Sequence, residues 1–525
     1  MGDSCIVTPS ALRVPDMHEL SHLIDLASPR LGARAIAASD EFFAEKENLL
    51  KPEPPISIPD KYTDRGKWMD GWETRRRRTP GHDWCIVRLG LPGVIHSVIV
   101  DTSFFRGNYP SHCSIDACGL PESVDPTVER VVWHPILPQV ELTGDKKNAL
   151  TVERSGASER RFTHVRVNIF PDGGVARLRV MGEVLPDWSR ILGDGGEIDL
   201  VACDRGGYVF DVSDRFFGEP HNMLMPWSPV NMADGWETKR RRGPGHDWAV
   251  VRLGVAGQVR RAEIDTAFFK GNYPDTASLE AAVVSDEGRR DVSADVSSKA
   301  TANWHTVLAQ TRLDADRRQT FDLSPQVTAS HVRLNIYPDG GISRFRLLGV
   351  PDANSRRRVV LRQLNATDEP ALRGLLTDFC GAPEWLDHII AARPYTSPGA
   401  LFTASEHAAA SVTPEGWREA FRHHPRIGEG TSERPQSAAA QDASTREQAG
   451  VKQATADDLT ALAEGNRAYG SRFGQPFIVC ASGKSVAEML AAMRERMNND
   501  PATELRVAEG EQRKITKLRL EKLLG

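Results

Sequence analysis

The chain has 525 residues and a formal net charge of −5, with 66 Lys and Arg against 71 Asp and Glu. That length suggests three or four domains, and the slight acidity speaks against a nucleic-acid role. No run approaches the ~18–20 apolar residues of a membrane span, and the opening segment, Met1 to Ser10, lacks both a charged region leading into an apolar stretch and, with Ile6, the hydroxyl expected for myristoylation.

Taken in chain order, the first motif is His18-Glu19-Leu20-Ser21-His22, an H-E-x-x-H string. On a helix it would turn two histidines toward zinc with a glutamate as base. It precedes every repeated block and has no third ligand at a recognisable spacing, so it reads as a chance match on a surface helix, and no metal is expected. The repeated blocks begin soon after. Ser39 to Phe43 (SDEFF) returns at Ser213 to Phe217 (SDRFF). Asp70 to Gly90 returns at Asp234 to Gly254 with 17 of 21 positions identical, too many for chance. Val100 to Pro110 returns at Ile264 to Pro274, and Val165 to Gly182 at Val332 to Gly349. A period near 165 residues is that of a whole domain, so the first ~350 residues are a domain written twice.

Within each copy, short β-rich runs alternate with turn signals. Cys85 to Leu89 and Val94 to Val100 are separated by Gly90-Leu91-Pro92-Gly93, and His164 to Phe170 ends at Pro171-Asp172-Gly173-Gly174. This pattern predicts a β-sandwich or jelly roll. Beyond Ser355 to Arg358 the period becomes helical: Leu372, Leu375, Leu376 and Phe379 share a face, Ser485 and Glu488 form a capping box ahead of Met489, Leu490, Met493 and Met497, and a last helix carries Ile515, Leu518 and Leu523. Residues 428–453 read as a long loop or helix start. The expected organisation is a β repeat over 1–190, a second over 191–352, a linker over 353–359 and an all-α domain over 360–525. Seven scattered cysteines without C-x-x-C argue against a disulfide framework or zinc cluster and point to a reducing cytoplasm.

Each copy carries one polar set: Glu73 and Glu237, Arg77 and Arg241, His82 and His246, Asp83 and Asp247, Asp101 and Asp265, Asn108 and Asn272, Asp172 and Asp339, Arg177 and Arg344. The basic runs (75–78 and 239–242) are read as a nucleic-acid patch, which the acidic total speaks against, as a solvated face, or as the source of an arginine that grips a small carboxylate through its planar fork. His82-Asp83 and His246-Asp247 are either an acid–base pair or a turn-capping aspartate beside a packed histidine. With DGWETRRRR, PGHDW, FFRGNYP and NIFPDGG, the region from about 20 to 352 resembles allantoicase. The resemblance implies two jelly-roll repeats like galactose-binding domains, hydrolysis of allantoate to ureidoglycolate and urea, and a homo-oligomer. A non-catalytic ligand- or carbohydrate-binding pair of jelly rolls is the alternative.

In the last third, Gly483-Lys484-Ser485 hints at a P-loop, but Ile478 stands where its first glycine belongs. Taken alone, Ser444-x-x-Glu447 is a capping box and His424 before Pro425 a helix terminator. The strings His423 to Gly428, Ser444 to Gly450, Phe477 to Ala481 and Lys514 to Leu520 together resemble OHCU decarboxylase (2-oxo-4-hydroxy-4-carboxy-5-ureidoimidazoline decarboxylase), an all-α family, from about Leu364 to Leu524. The resemblance implies His424 as catalytic acid with Glu447 as its partner. It implies a substrate lining of Pro425, Ser444, Thr445, Arg446, Gln448, Phe477, Ile478, Val479, Cys480 and Ala481, with Arg519 holding a carboxylate. Arg-Ile-Gly after His-Pro departs from the family pattern, and the polar stretch 429–442 bears on the His424–Glu447 geometry. The implied reaction gives (S)-allantoin without a cofactor, because the imidazoline ring itself can delocalise the charge left by the departing carboxylate. The expected ligands are the two ureides, with neither nucleic acid nor membrane as partner.

Overall fold

The structure is a computed structural model and describes residues 23–121, 124–127, 131–153, 159–192, 196–284, 303–424 and 456–525. Two compact units divide the chain, Met1–Val359 and Val360–Gly525.

The first unit contains two antiparallel eight-stranded assemblies, one per repeat. In the first, the strand Asp83–Asp101 serves both layers. Its N-terminal half pairs with Arg34–Ala38 and Phe162–Phe170, its C-terminal half with Lys147–Thr151 and Arg177–Val184. The strand His112–Cys118 extends the first layer, followed by His134–Glu141. The second repeat copies this order: Asp247–Asp265 pairs with Tyr208–Val212 and Thr328–Tyr337, then with Arg318–Asp322 and Arg344–Pro351. Alternating side chains such as Val87, Val98, Val165, Val167, Leu178 and Val180 are fully buried between the layers. The expected two β repeats followed by helices are therefore present. One local reading changes: Gly90 to Gly93 is no chain reversal but lies inside the 19-residue strand. Its glycines answer a steric demand, since a Cβ on Gly93 would lie 2.3 Å from the Glu183 carbonyl oxygen.

The two copies meet at Arg30. It donates to Asn222 Oδ1 at 2.7 Å and ion-pairs with Asp234, while its carbonyl accepts from Trp227 Nε1 at 3.0 Å. In the first repeat the matching aspartate, Asp70, takes Lys51 of its own copy instead (3.1 Å).

The residues expected as a linker, 353–359, are helical and begin the helix Ala353–Ala366. In the second unit several helices open on a hydroxyl or carboxylate cap followed by proline: Ser397-Pro398, Thr413-Pro414 and Asp500-Pro501. The cap oxygen accepts a backbone N–H that no carbonyl could reach, and proline supplies the first helical φ. The Ser485–Glu488 capping box is formed, and Met489, Leu490 and Met493 pack with Leu462, Tyr469, Phe477 and Val479. The closing helix, Pro501–Leu524, buries Ile515, Leu520 and Leu524, with Leu518 and Leu523 half-buried. It also buries Glu504, Gln512, Thr516 and Arg519, an unusual polar load for a helix interior. No described helix is long and apolar enough to cross a membrane.

Candidate active sites

In each repeat three separate motifs converge. The short strand Trp72–Glu73 pairs with Gly174–Val175 of the Pro-Asp-Gly-Gly loop, and Gly174 N donates to the Asn108 carbonyl at 2.7 Å. Asn108 Nδ2 then meets Glu73 Oε1 at 2.7 Å, and the Arg77 backbone N–H meets Asp172 Oδ2 at 2.7 Å. The second copy repeats both contacts: Asn272 to Glu237 at 2.6 Å and Arg241 N to Asp339 at 2.8 Å. Burial raises the Glu73 carboxyl above its ordinary pKa, with the Asn108 hydrogen bond pulling the other way.

The repeated SD pair has a mechanical role. Ser39 Oγ donates to Asp83 Oδ1 (3.0 Å) and accepts from Trp84 N (2.9 Å), while Asp40 accepts from Arg75 N and Nε. Asp83, 2 % exposed, also receives Arg77 Nη1 at 2.9 Å. Ser213, Asp247 and Arg241 form the same knot. Each signature arginine is thus tied to the aspartate that follows the histidine. His82 lies tilted against Phe170 (centroids 4.6 Å apart) and His246 against Tyr337 (4.5 Å), both half-buried.

Four members of the polar set lie apart from this convergence. Buried Arg177 donates to the Asp70 carboxylate (2.7 Å) and to the carbonyls of Glu53, Asp70 and Ala176. Arg344 does the same with Asp234, Trp227 and Ser343. Asp101 and Asp265 cap the turns that follow them, accepting from Ser103 N and Ala267 N at 2.9 Å. A further row was missed at the sequence level. Beneath the histidine, Asn168 donates to Ser114 and Asp116, and Arg166 pairs with Asp116 while lying over Trp133. In the second copy the row is Asn335, Ser278, Glu280, Arg333 and Trp304. Its signal was available: Arg and Asn recur two residues apart in VRVNIF and VRLNIY, hence on one face of a strand.

In the second unit His424 follows the helix Pro414–Arg422, its N–H bonded to the Phe421 carbonyl at 3.1 Å. Burial pushes its pKa down to about 3; the Arg519 cation and His423 push the same way, and Gln512 partly offsets them. Gln512 and Arg519 both belong to the closing helix, and Arg519 Nη1 is held by the Asp378 carbonyl at 2.5 Å. Phe477 to Ala481 is a buried segment outside the helices, apart from half-buried Cys480. The Cys480 N–H is taken by Glu511 Oε2 at 2.8 Å and the Ile478 carbonyl by Arg496 Nη1 at 2.8 Å. Pro425, Ser444, Thr445, Arg446, Glu447 and Gln448 lie outside the described residues, as does His18 to His22. Among the described residues no group of three His, Cys, Asp or Glu could hold a metal ion. The thiols of Cys113, Cys203 and Cys380 are pushed up to about 12 by burial.

Comparison with known proteins places these units. The allantoicase repeat family matches residues 24–185 and 198–352, and the OHCU decarboxylase family matches 365–521. A protein of Burkholderia pseudomallei named "Probable allantoicase 2" is 49% identical over 62% of this chain and 94% of its own length. A "Probable allantoicase" of Ralstonia nicotianae is 47% identical over 62% of this chain and 94% of its own. The crystal structure of allantoicase from Saccharomyces cerevisiae is 33% identical, covers 62% of this chain and 93% of that one, and superposes with a TM-score of 0.52. The chain therefore belongs to the allantoicase family and joins its paired repeats to an OHCU decarboxylase domain.

Proposed function

We propose that the first unit hydrolyses allantoate to (S)-ureidoglycolate and urea, and that the second decarboxylates OHCU to (S)-allantoin. The observation that carries the first half is the convergence of Glu73, Asn108 and Asp172, with their counterparts Glu237, Asn272 and Asp339, from three motifs spread over about 100 residues of sequence. Allantoate bears one carboxylate and two ureido groups on a single carbon. Asn108 reads a ureido group through its amide. Glu73, whose burial favours the protonated form, gives its proton to the departing urea nitrogen as that C–N bond breaks. Asp172 takes a proton from the water whose oxygen bonds to the same carbon. Arg77–Asp83 and Arg241–Asp247 hold the loop that presents His82 and His246. Arg177, Arg344, Asp101 and Asp265 serve the same site as braces for the turns around it.

In the second unit, an imidazole held neutral beside Arg519 suits a substrate that arrives as an anion. The substrate carboxylate offsets the Arg519 charge, restoring basicity to His424, which takes up a proton from solvent and delivers it to one face of the carbon, onto the electron pair left behind as CO2 departs. Glu447 orients His424. Ser444 to Gln448, Pro425 and Phe477 to Ala481 line the substrate, and no cofactor enters the step. The two reactions are not consecutive, because allantoin must first be opened to allantoate. We assign the repeats to 1–190 and 191–352 and the decarboxylase to 360–525, and read the protein as a cytoplasmic homo-oligomer whose ligands are these two ureides, with no nucleic-acid or membrane partner.

A paired assay on the full chain tests both halves. One arm follows urea from allantoate, comparing wild type with the His82→Ala/His246→Ala double variant. The other follows enantiomer-specific allantoin from freshly generated OHCU, with His424→Ala as control. Activity in both arms, with the second alone lost in His424→Ala, supports two independent sites. A wild type silent in the first arm removes the hydrolase and leaves the repeats as a binding pair; unchanged release by the double variant removes the histidines from the site.

A further inference from the structure

The polar row beneath each histidine differs between the copies in one respect with chemical consequences. In the first repeat, Asp116 Oδ2 accepts from Arg166 Nη2 (2.8 Å), Arg166 Nε (3.2 Å) and Asn168 Nδ2 (2.9 Å). The arginine is matched by a short carboxylate directly opposite it on the neighbouring strand. In the second repeat the opposing residue is Glu280, one methylene longer. Its Oε2 receives Arg333 Nη1 and Asn335 Nδ2 at 3.3 and 3.2 Å, both long for charge-assisted bonds.

Arg333 is only 5% exposed, and its Nη2 is buried without a partner. The guanidinium lies 4.4 Å from the centre of the Trp304 ring, and Trp304 Nε1 is also buried without a partner. The equivalent atoms of Arg166 and Trp133 are not orphaned in this way among the described residues. Upstream the row is fully joined: His246 Nε2 reaches Asn335 Oδ1 at 3.2 Å, and Ser278 Oγ meets Tyr337 Oη at 3.2 Å. In the first repeat Phe170 replaces that tyrosine, and Asn168 Oδ1 has no partner. Two adjacent buried donors, one of them cationic, lack an acceptor at the far end of a row that begins at the signature histidine. Native interiors rarely leave such donors unmatched.

We propose that Arg333 and Trp304 form a carboxylate-binding site in the second repeat, that they hold the carboxylate of the ureide whose hydrolysis is proposed above, and that the first repeat lacks this site because Asp116 already occupies Arg166. The inference rests on the hydrolase reading for the identity of its ligand. A carboxylate oxygen supplies the missing acceptor to both donors.

The test uses the full chain and two readouts. The first is the KM for allantoate in urea release. The second is thermal stabilisation by ureidoacetate, which has one carboxylate and one ureido group, against its neutral amide, ureidoacetamide. Loss of a charge-assisted bond is worth about 10- to 100-fold in affinity. Arg333→Met is expected to raise KM by about that factor, Trp304→Phe by a smaller one and Arg166→Met by less than about twofold, each with folding checked by its unliganded melting curve. Ureidoacetate is expected to stabilise wild type and not Arg333→Met, and ureidoacetamide to stabilise neither. If Arg333→Met does not fold, Trp304→Phe and Arg333→Lys, which keep the ring or the charge, decide the matter. Unchanged KM in the Arg333 and Trp304 variants while wild type releases urea overturns the site and leaves the hydrolase standing. An equal loss in Arg166→Met overturns the asymmetry. A wild type that releases no urea sinks the hydrolase reading alone; the anion site then stands or falls on the ureidoacetate shift and its loss in Arg333→Met.

Discussion

His424 carries the most quantitative expectation. An unfolded chain binds a proton at this imidazole below pH ~6.5, whereas the folded chain binds it only near pH 3. Between those limits the unfolded state holds the extra proton, so stability is present above pH ~6.5 and drains away as pH falls toward the folded value, by about 1.4 kcal/mol per unit. From pH 7.5 to 4.5 this one group costs the second unit about 2.7 kcal/mol, since only the two units below 6.5 count. His424→Gln removes the proton site while keeping a polar side chain of similar reach. Hydrogen exchange of peptides from Pro501–Leu524, corrected for the intrinsic pH dependence of exchange, reports the opening of this unit in both proteins. Wild type is expected to lose about 2–3 kcal/mol more than His424→Gln over that interval, because every other ionisable group is common to both proteins. An equal loss in the two proteins would refute the reasoning. It would mean that His424 titrates normally despite Arg519 and burial, and that the neutral imidazole from which the proposed reaction starts does not exist.

Three other outcomes follow from contacts already described. Glu73→Gln should abolish most of any urea release that depends on the first repeat. It should also raise the urea midpoint of the first unit at pH 7.5 but not at pH 4, because the raised carboxyl costs stability only as pH climbs through its pKa and a charge must be buried. Arg496→Met should destabilise the second unit by about 3–5 kcal/mol in denaturant titrations, since it strips Glu504, 0 % exposed, of its cation and leaves Tyr469 and Asn499 as the remaining donors; a loss below ~1 kcal/mol would show that those donors suffice for the buried carboxyl group. Ser485→Ala removes the capping box of Val486–Arg496 and should cost about 1 kcal/mol in the same titration, with Ser485→Gly recovering part of it.

Much of the first unit was readable because it is written twice. A residue that recurs in register is marked without any knowledge of its neighbours, which is how Glu73, Asn108 and Asp172 were singled out before they could be seen to meet. What repetition could not convey is orientation. Arg177 and Arg77 recur equally well, yet one is consumed by Asp70 and carbonyl oxygens inside a turn while the other braces the histidine loop. The Arg166–Asn168 row also recurs, but a polar residue at every second position of a strand reads as an ordinary solvent face until the opposing Ser114 and Asp116 are known. Gly90 to Gly93 carries the composition of a turn, and only the nearness of the Leu31 and Glu183 backbones explains glycine in a continuing strand. For His424 the decisive neighbours, Gln512 and Arg519, come about 90 residues later on another helix, beyond any local pattern.

The Arg30 crossing bears on how far the duplication still amounts to two modules. Asp70 finds its outer cation within its own copy, at Lys51; Asp234 borrows one from the other copy. At this aspartate the second repeat is thus completed by the first, but not the reverse. The halves have become a donor and a dependant: the N-terminal copy excised alone keeps both cations on its key aspartate, whereas the C-terminal copy excised alone leaves Asn222 Oδ1, Trp227 Nε1 and part of the Asp234 charge without their Arg30 partner. Replacing Arg30 alone would sever that loan, so what began as symmetry now has a direction.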